Sequence, residues 1–112
     1  MTAPGESPLL ALSTVGGMDD AERIARTLVG ERLAACVNLV RGLRSIYRWQ
    51  GAVSDEPEVL LLMKTTRVNV EALRERLLQI HPYEVPEFVA IELADVAEAY
   101  GKWLVESVTP SG

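Results

Sequence analysis

The chain is poor in the residues from which compact reactive sites are usually built: it holds one cysteine and one histidine in 112 residues. A lone cysteine, Cys36, excludes an intrachain disulfide framework and fits a reducing compartment. A lone histidine, His81, stands before a proline with no nucleophile assigned to it, so no Ser/His/Asp relay is readable. Basic charge is also scarce. Eleven Lys and Arg face sixteen Asp and Glu, a net charge of −5, and the pI is near 4.8. That balance leaves no electrostatic footprint for nucleic acid, although Arg41, Arg44 and Arg48 form a local basic stretch. Neither GxxxxGK[ST] nor GxGxxG occurs, and Gly16-Gly17 alone is too slight to cradle a phosphate. Nothing selects a carboxylate pair for glycosidase chemistry. No apolar run approaches the ~20 residues of a membrane span, and "MTAPGESP" lacks the regions of a signal peptide. These absences predict a cytoplasmic protein that is not an enzyme, with no nucleic-acid or membrane partner and no organic cofactor.

What is present is apolar. Hydrophobic residues make up 48% of the chain and charged residues 24%, with mean hydropathy +0.12. A chain of this length forms one domain with a modest core, so part of that surface is expected in a subunit interface. The single domain spans 1–112, with flexible tails expected at about 1–8 and 109–112.

The pattern along the chain alternates. "LLALSTV" reads as a buried strand ended by Gly16-Gly17. Asp19-Asp20 are expected to cap and charge the start of a helix, with Ala21, Ile24, Ala25, Leu28 and Val29 along one face. From "LAACVNLV" through "LRSIYRWQ" the chain reads as extended, with a bulge or kink at Arg41-Gly42 and a turn at Gly51. "EVLLLMKTT" (Glu58–Thr66) is apolar on both parities, as a central strand covered on both faces would be. Asn69 opens a second helix with Val70, Leu73, Leu77 and Ile80 on one side, and Pro82 stops it. "EFVAIEL" is a last strand, and Ala97–Val108 a C-terminal helix carrying Tyr100, Trp103 and Leu104. The order is α+β: a ferredoxin-like βαββαβ sandwich with an additional C-terminal helix. Both crossover helices land on one face of an antiparallel sheet. The other face is expected to be covered by another subunit.

"ERLAACVNLV", "SIYRWQG", "EVLLLMKT", "HPYEVPE" and "YGKW" stand in the order and spacing of the CutA1 family, the divalent cation tolerance proteins. The resemblance runs from about Leu9 to Ser107. It implies a ferredoxin-like unit assembled as a tight homotrimer, with long strands packed edge to edge between subunits. It also implies tolerance to copper and other divalent cations and binding of such ions, without an established enzymatic activity. In relatives where copper ligation is proposed, the histidine of HPY acts with a second histidine just before it and a cysteine ending the first strand. Here those places hold Ile80 and Ser13, so only His81 carries over.

The stretch His81-Pro82-Tyr83-Glu84-Val85-Pro86-Glu87 holds the candidate site. Imidazole suits Cu2+ and Zn2+, so His81 is a metal candidate, completed by Glu84, Glu87 and water or by copies around a three-fold axis. The opposing reading makes His81 a helix-end imidazolium that satisfies free carbonyls. Cys36, in "LAACVN", is either a further ligand or a small buried hydrophobe. Tyr83, Glu84 and Glu87 sit between two prolines, in a rigid corner whose carboxylates are expected to meet backbone amides or Lys64, Arg44 or Arg48. Tyr47, Trp49, Tyr83, Tyr100 and Trp103 are expected at the subunit contact, and Lys64 to meet a carboxylate there. The competing function is a trimeric scaffold or a module similar to nitrogen-regulatory PII proteins, taking a small ligand in a cleft between subunits.

Overall fold

The computed structural model describes residues 4–110. The first strand, β1 (Pro8–Val15), alternates strictly. Leu9, Ala11, Ser13 and Val15 are buried, whereas Leu10, Leu12 and Thr14 are only partly so. Strand β3 (Ala52–Thr66) repeats the alternation over its second half, with Val59, Leu61, Met63 and Thr65 inward. Helices α1 (Met18–Gly30) and α2 (Val70–Ile80) lay Ile24, Leu28, Leu73 and Leu77 on that inner face. A period of 2 meeting a period of 3.6 is what joins them into one core.

The strand order is β2–β3–β1–β4, where β2 is Cys36–Trp49 and β4 is Val89–Glu92, and every pairing is antiparallel. This is the βαββαβ order expected from the alternation. Val40 to Leu43 carries a register shift, and Gly42 adopts φ +82, so the bulge at Arg41-Gly42 is present. The turn is made by Gln50 and Gly51, both at positive φ, the geometry of a type I′ hairpin. β3 begins at Ala52, six residues before the expected Glu58, because it continues past β1 in a hairpin with β2. β1 pairs with β3 only over Val59–Thr66, so residues 43–58 form a two-stranded arm beyond the sheet.

Part of the sheet's second face, expected to be covered by another subunit, is covered by the chain itself. Lys64 alternates with the inward Met63 and Thr65, and its Nζ lies 5.9 Å from the centre of the Tyr100 ring. The third helix, α3 (Glu98–Ser107), therefore packs on the side opposite α1 and α2. It buries Leu104 and, just beyond its end, Val108 against Ala35. Val40, Val89 and Ile91 on the same face remain exposed.

Several local expectations change. Gly17, not Asp19-Asp20, is the N-cap of α1, and the two aspartates lie inside the first turn. Asn69 caps α2 by position only. Its side-chain amide donates instead to Thr66 Oγ1 and to the Val108 carbonyl. Within the expected N-terminal tail, Pro4–Glu6 forms a 3-10 turn. The Gly5 and Ser7 carbonyls accept the Val68 and Arg67 amides, which ties this stretch down. The expected tail positions 1–3 and 111–112 lie outside the described residues. No helix is long and apolar enough to cross a membrane among the described residues.

Candidate functional site

Pro82 shapes the site before any side chain does. It forces His81 into an extended conformation (φ −79, ψ 136), which ends α2 and swings the chain toward the end of β1. His81 is 7% exposed. Its Nε2 lies 2.8 Å from the Thr14 carbonyl oxygen, and the Tyr83 amide donates to Nδ1 at 3.1 Å. A carbonyl only accepts and an amide N–H only donates, so both contacts are satisfied by one tautomer, with the proton on Nε2. The imidazole thus does not satisfy the carbonyls at the end of its own helix. Arg23 does so, donating from Nη1 to the Ile80 carbonyl at 3.0 Å.

Tyr83 folds back edge-on against the His81 ring, centroids 4.7 Å apart. Its hydroxyl donates to Glu58 Oε2 at 2.7 Å. Burial first, and then the Glu58 carboxylate, push the Tyr83 phenol well above the ordinary tyrosine range. The approach is close: a Cβ on Gly16 would stand 3.2 Å from the Tyr83 hydroxyl. Glu58 itself is 7% exposed and has no cationic partner among the described residues.

These residues form one wall of an open cleft of about 840 Å³ between the corner and the arm. Tyr47 and Trp49 share the arm's inward face with Glu56 and Glu58, as their cross-strand register requires. Glu84 and Glu87 complete the rim, and no Lys, Arg or His lines it. Glu84 and Glu87 do not pair with Lys64, Arg44 or Arg48. Arg44 instead holds Asp55 in a two-point ion pair at 2.7 and 2.5 Å, which keeps the Asp55 carboxyl below the usual range. Lys64 meets no carboxylate among the described residues; its ammonium donates to Asn38 Oδ1 at 2.5 Å, with Cys36 Sγ 3.9 Å away.

The metal candidates are thus separated. Cys36 stands in the row of Lys64 and Leu10, four residues along β1 from Thr14, a distance of about 13 Å. Its neighbours are Asn38 and Lys64, not His81. Ser13, where the resemblance places a cysteine, points into the core and is the one buried side-chain polar atom without a partner among the described residues. Among the described residues no three His, Cys, Asp or Glu side chains converge on a point where a metal ion would sit. Within one chain the donor set does not fit a closed metal site. Tyr100 and Trp103 are stacked at a tilt, centroids 5.3 Å apart, on α3, away from the cleft.

Glu56 and Glu58 are the site residues that sequence reading missed. The signal available was parity. Counting back across the Gln50-Gly51 turn puts both on the face of Tyr47 and Trp49.

Residues 9–107 match the family model described as CutA1 divalent ion tolerance protein. The chain is 51% identical over 98 residues to the divalent-cation tolerance protein CutA of Thermus thermophilus, covering 88% of this chain and 95% of that protein. It is 43% identical over 95 residues to protein CutA of mouse, covering 82% of this chain and 54% of that longer protein. Among solved structures, CutA from Xylella fastidiosa superposes with a TM-score of 0.90 at 40% identity, over 92% of this chain and 99% of that one. CutA1 from Oryza sativa gives 0.91 at 34% identity, over 97% and 100%.

Proposed function

The chain belongs to the CutA1 divalent ion tolerance family, and from that premise we propose that it acts in divalent-cation tolerance as a homotrimer that binds cations such as Cu2+ or Zn2+ rather than as an enzyme. The observation that carries the assembly is the arm. Isolated two-stranded hairpins are marginal in water, yet residues 43–58 extend beyond the sheet with Ile46 66% and Val53 65% exposed. Packing against a second and third copy removes that apolar surface from water. A cytoplasmic setting is part of the same proposal, resting on the lone cysteine.

For the cation, Glu84 and Glu87 are the residues of this chain best disposed to contribute, since neither is held by another side chain among the described residues. His81 would have to surrender the Tyr83 amide to offer Nδ1, and Cys36 would act only in a separate place beside Lys64. Donors from a neighbouring copy are needed to complete a coordination sphere.

The test is calorimetric titration of the purified protein with Cu2+ and Zn2+, beside light scattering. A trimer that saturates at a whole number of ions, with uptake lost in a Glu84→Gln, Glu87→Gln variant and altered in His81→Ala, supports the proposal. Weak, unsaturable uptake equal in all variants, or a monomer, overturns it. A second reading, a trimeric module for a small ligand, is favoured by one observation: the aromatic and acidic cleft has the volume of a small-molecule pocket.

A further inference from the structure

Four carboxylates line the cleft, yet their placement argues against a point ion. Glu56 and Glu58 come from the arm, Glu84 and Glu87 from the corner across from it, and no three of them converge. The anionic charge is therefore spread along the walls. Between the carboxylates stand the rings of Tyr47, Trp49 and Tyr83. Tyr47 and Trp49 have neither a cation nor another ring against their faces among the described residues. Glu58 adds the decisive feature. The residue is 7% exposed, it lines the cleft, and the donor its carboxylate meets among the described residues is the neutral Tyr83 hydroxyl. Buried charges are normally paired with an opposite charge, and this one has none among the described residues.

We propose that the cleft is a binding site for an aliphatic polyamine, a flexible chain of ammonium groups separated by methylenes. This rests on the small-ligand reading of the cleft. The chemistry matches point by point. An ammonium offers up to three N–H donors, enough to bridge Glu58 Oε1 and a second wall carboxylate. Its positive charge is also favourable over the Trp49 and Tyr47 faces. The methylenes lie along the same rings and remove apolar area from water. Ammonium groups spaced along a chain match carboxylates spaced along two walls, which a single compact ion does not. Carboxylates are the only charged side chains among the lining residues, so the cleft favours a cationic guest.

The experiment is calorimetric titration of the full-length protein with spermidine, at fixed ionic strength and with a chelator present so that metal uptake plays no part. Saturable binding is expected, absent with 1,4-butanediol, which has a comparable apolar stem without charge. Glu58→Gln keeps the shape and the acceptor for Tyr83 and should weaken spermidine by roughly tenfold, the equivalent of one charge-assisted contact. Glu56→Gln and Glu87→Gln, both at exposed positions, should each weaken it by a few-fold. Loss of spermidine binding with metal uptake intact would overturn the polyamine site and leave the cation-tolerance reading standing. Binding that persists unchanged in the Glu58→Gln and Glu56→Gln variants, or heat matched by added sodium chloride, overturns it equally.

Discussion

The Tyr83 hydroxyl donates to the Glu58 carboxylate at 2.7 Å across 25 residues of sequence. That bond fastens the corner after α2 to the root of the arm, and the cleft exists because both its walls are held there. Removing the donor in Tyr83→Phe leaves a buried carboxylate without its partner, so the protein should lose about 1–3 kcal/mol, read by chemical denaturation. Glu58→Gln in the same background should restore part of the loss. Equal, additive effects of the two substitutions would show that the bond contributes nothing.

Gly16 should prove sensitive for the same reason. A methyl group placed there meets the phenolic oxygen at 3.2 Å, inside ordinary van der Waals contact. Gly16→Ala is expected to displace Tyr83 from Glu58 and reproduce much of the Tyr83→Phe destabilisation, whereas Gly17→Ala, with open space around it, should not.

Alkaline titration follows from the raised Tyr83 phenol. A group whose folded value lies above its unfolded value contributes stability that is fully present below the unfolded value, near 10, and is lost as pH rises toward the folded one. Near-ultraviolet titration should therefore show one tyrosine that remains protonated above pH 10. That late step should vanish in Tyr83→Phe. Its persistence there would mean that another phenol is responsible.

The ion pair of Arg44 with Asp55 lies on the arm and is solvent-exposed, with Asp55 held below the ordinary carboxylate value. The sign is the opposite of the tyrosine's. The pair is fully made above the ordinary value of 3.8 and opens as pH falls through the lowered one. Carboxyl NMR titration should move the Asp55 midpoint upward in Arg44→Gln, with little change in global stability, since exposed pairs contribute modestly.

The imidazole of His81 should appear in long-range nitrogen–proton NMR spectra as the tautomer protonated on Nε2, because Thr14 offers only a carbonyl and Tyr83 only an amide. A spectrum showing Nδ1 protonated would contradict the corner as described. If Zn2+ is taken through this ring, the Tyr83 amide signal must shift with it, since the two compete for one lone pair.

Much of the fold was legible because periodicity is local. The buried Leu9, Ala11 and Val15 of β1, the apolar face of α1 and the stop at Pro82 each follow from neighbours in sequence. So does the kink at Gly42, where φ is +82. The site was legible only in part. Pro82, Tyr83 and the carboxylates could be picked out as a rigid corner, but not what they face. Arg23 reaching the Ile80 carbonyl and Arg44 choosing Asp55 over Glu84 are decided by proximity across 57 and 11 residues. The partners of Lys64 within the chain were hidden for the same reason: α3 brings Tyr100 over it, and Asn38, two residues after Cys36, accepts a hydrogen bond from its ammonium.

Sequence by itself determined the element order, the family, and the residues available for chemistry, because hydrophobic period, turn residues and proline act within a few positions of themselves. Tertiary structure alone decided that His81 is engaged at both nitrogens, that Cys36 lies far from it, and that Glu56 and Glu58 share a cleft with Tyr47 and Trp49. Those facts depend on strand register and on where a chain returns after many residues. A hydrogen bond is made only at short range in space, whatever the separation along the chain.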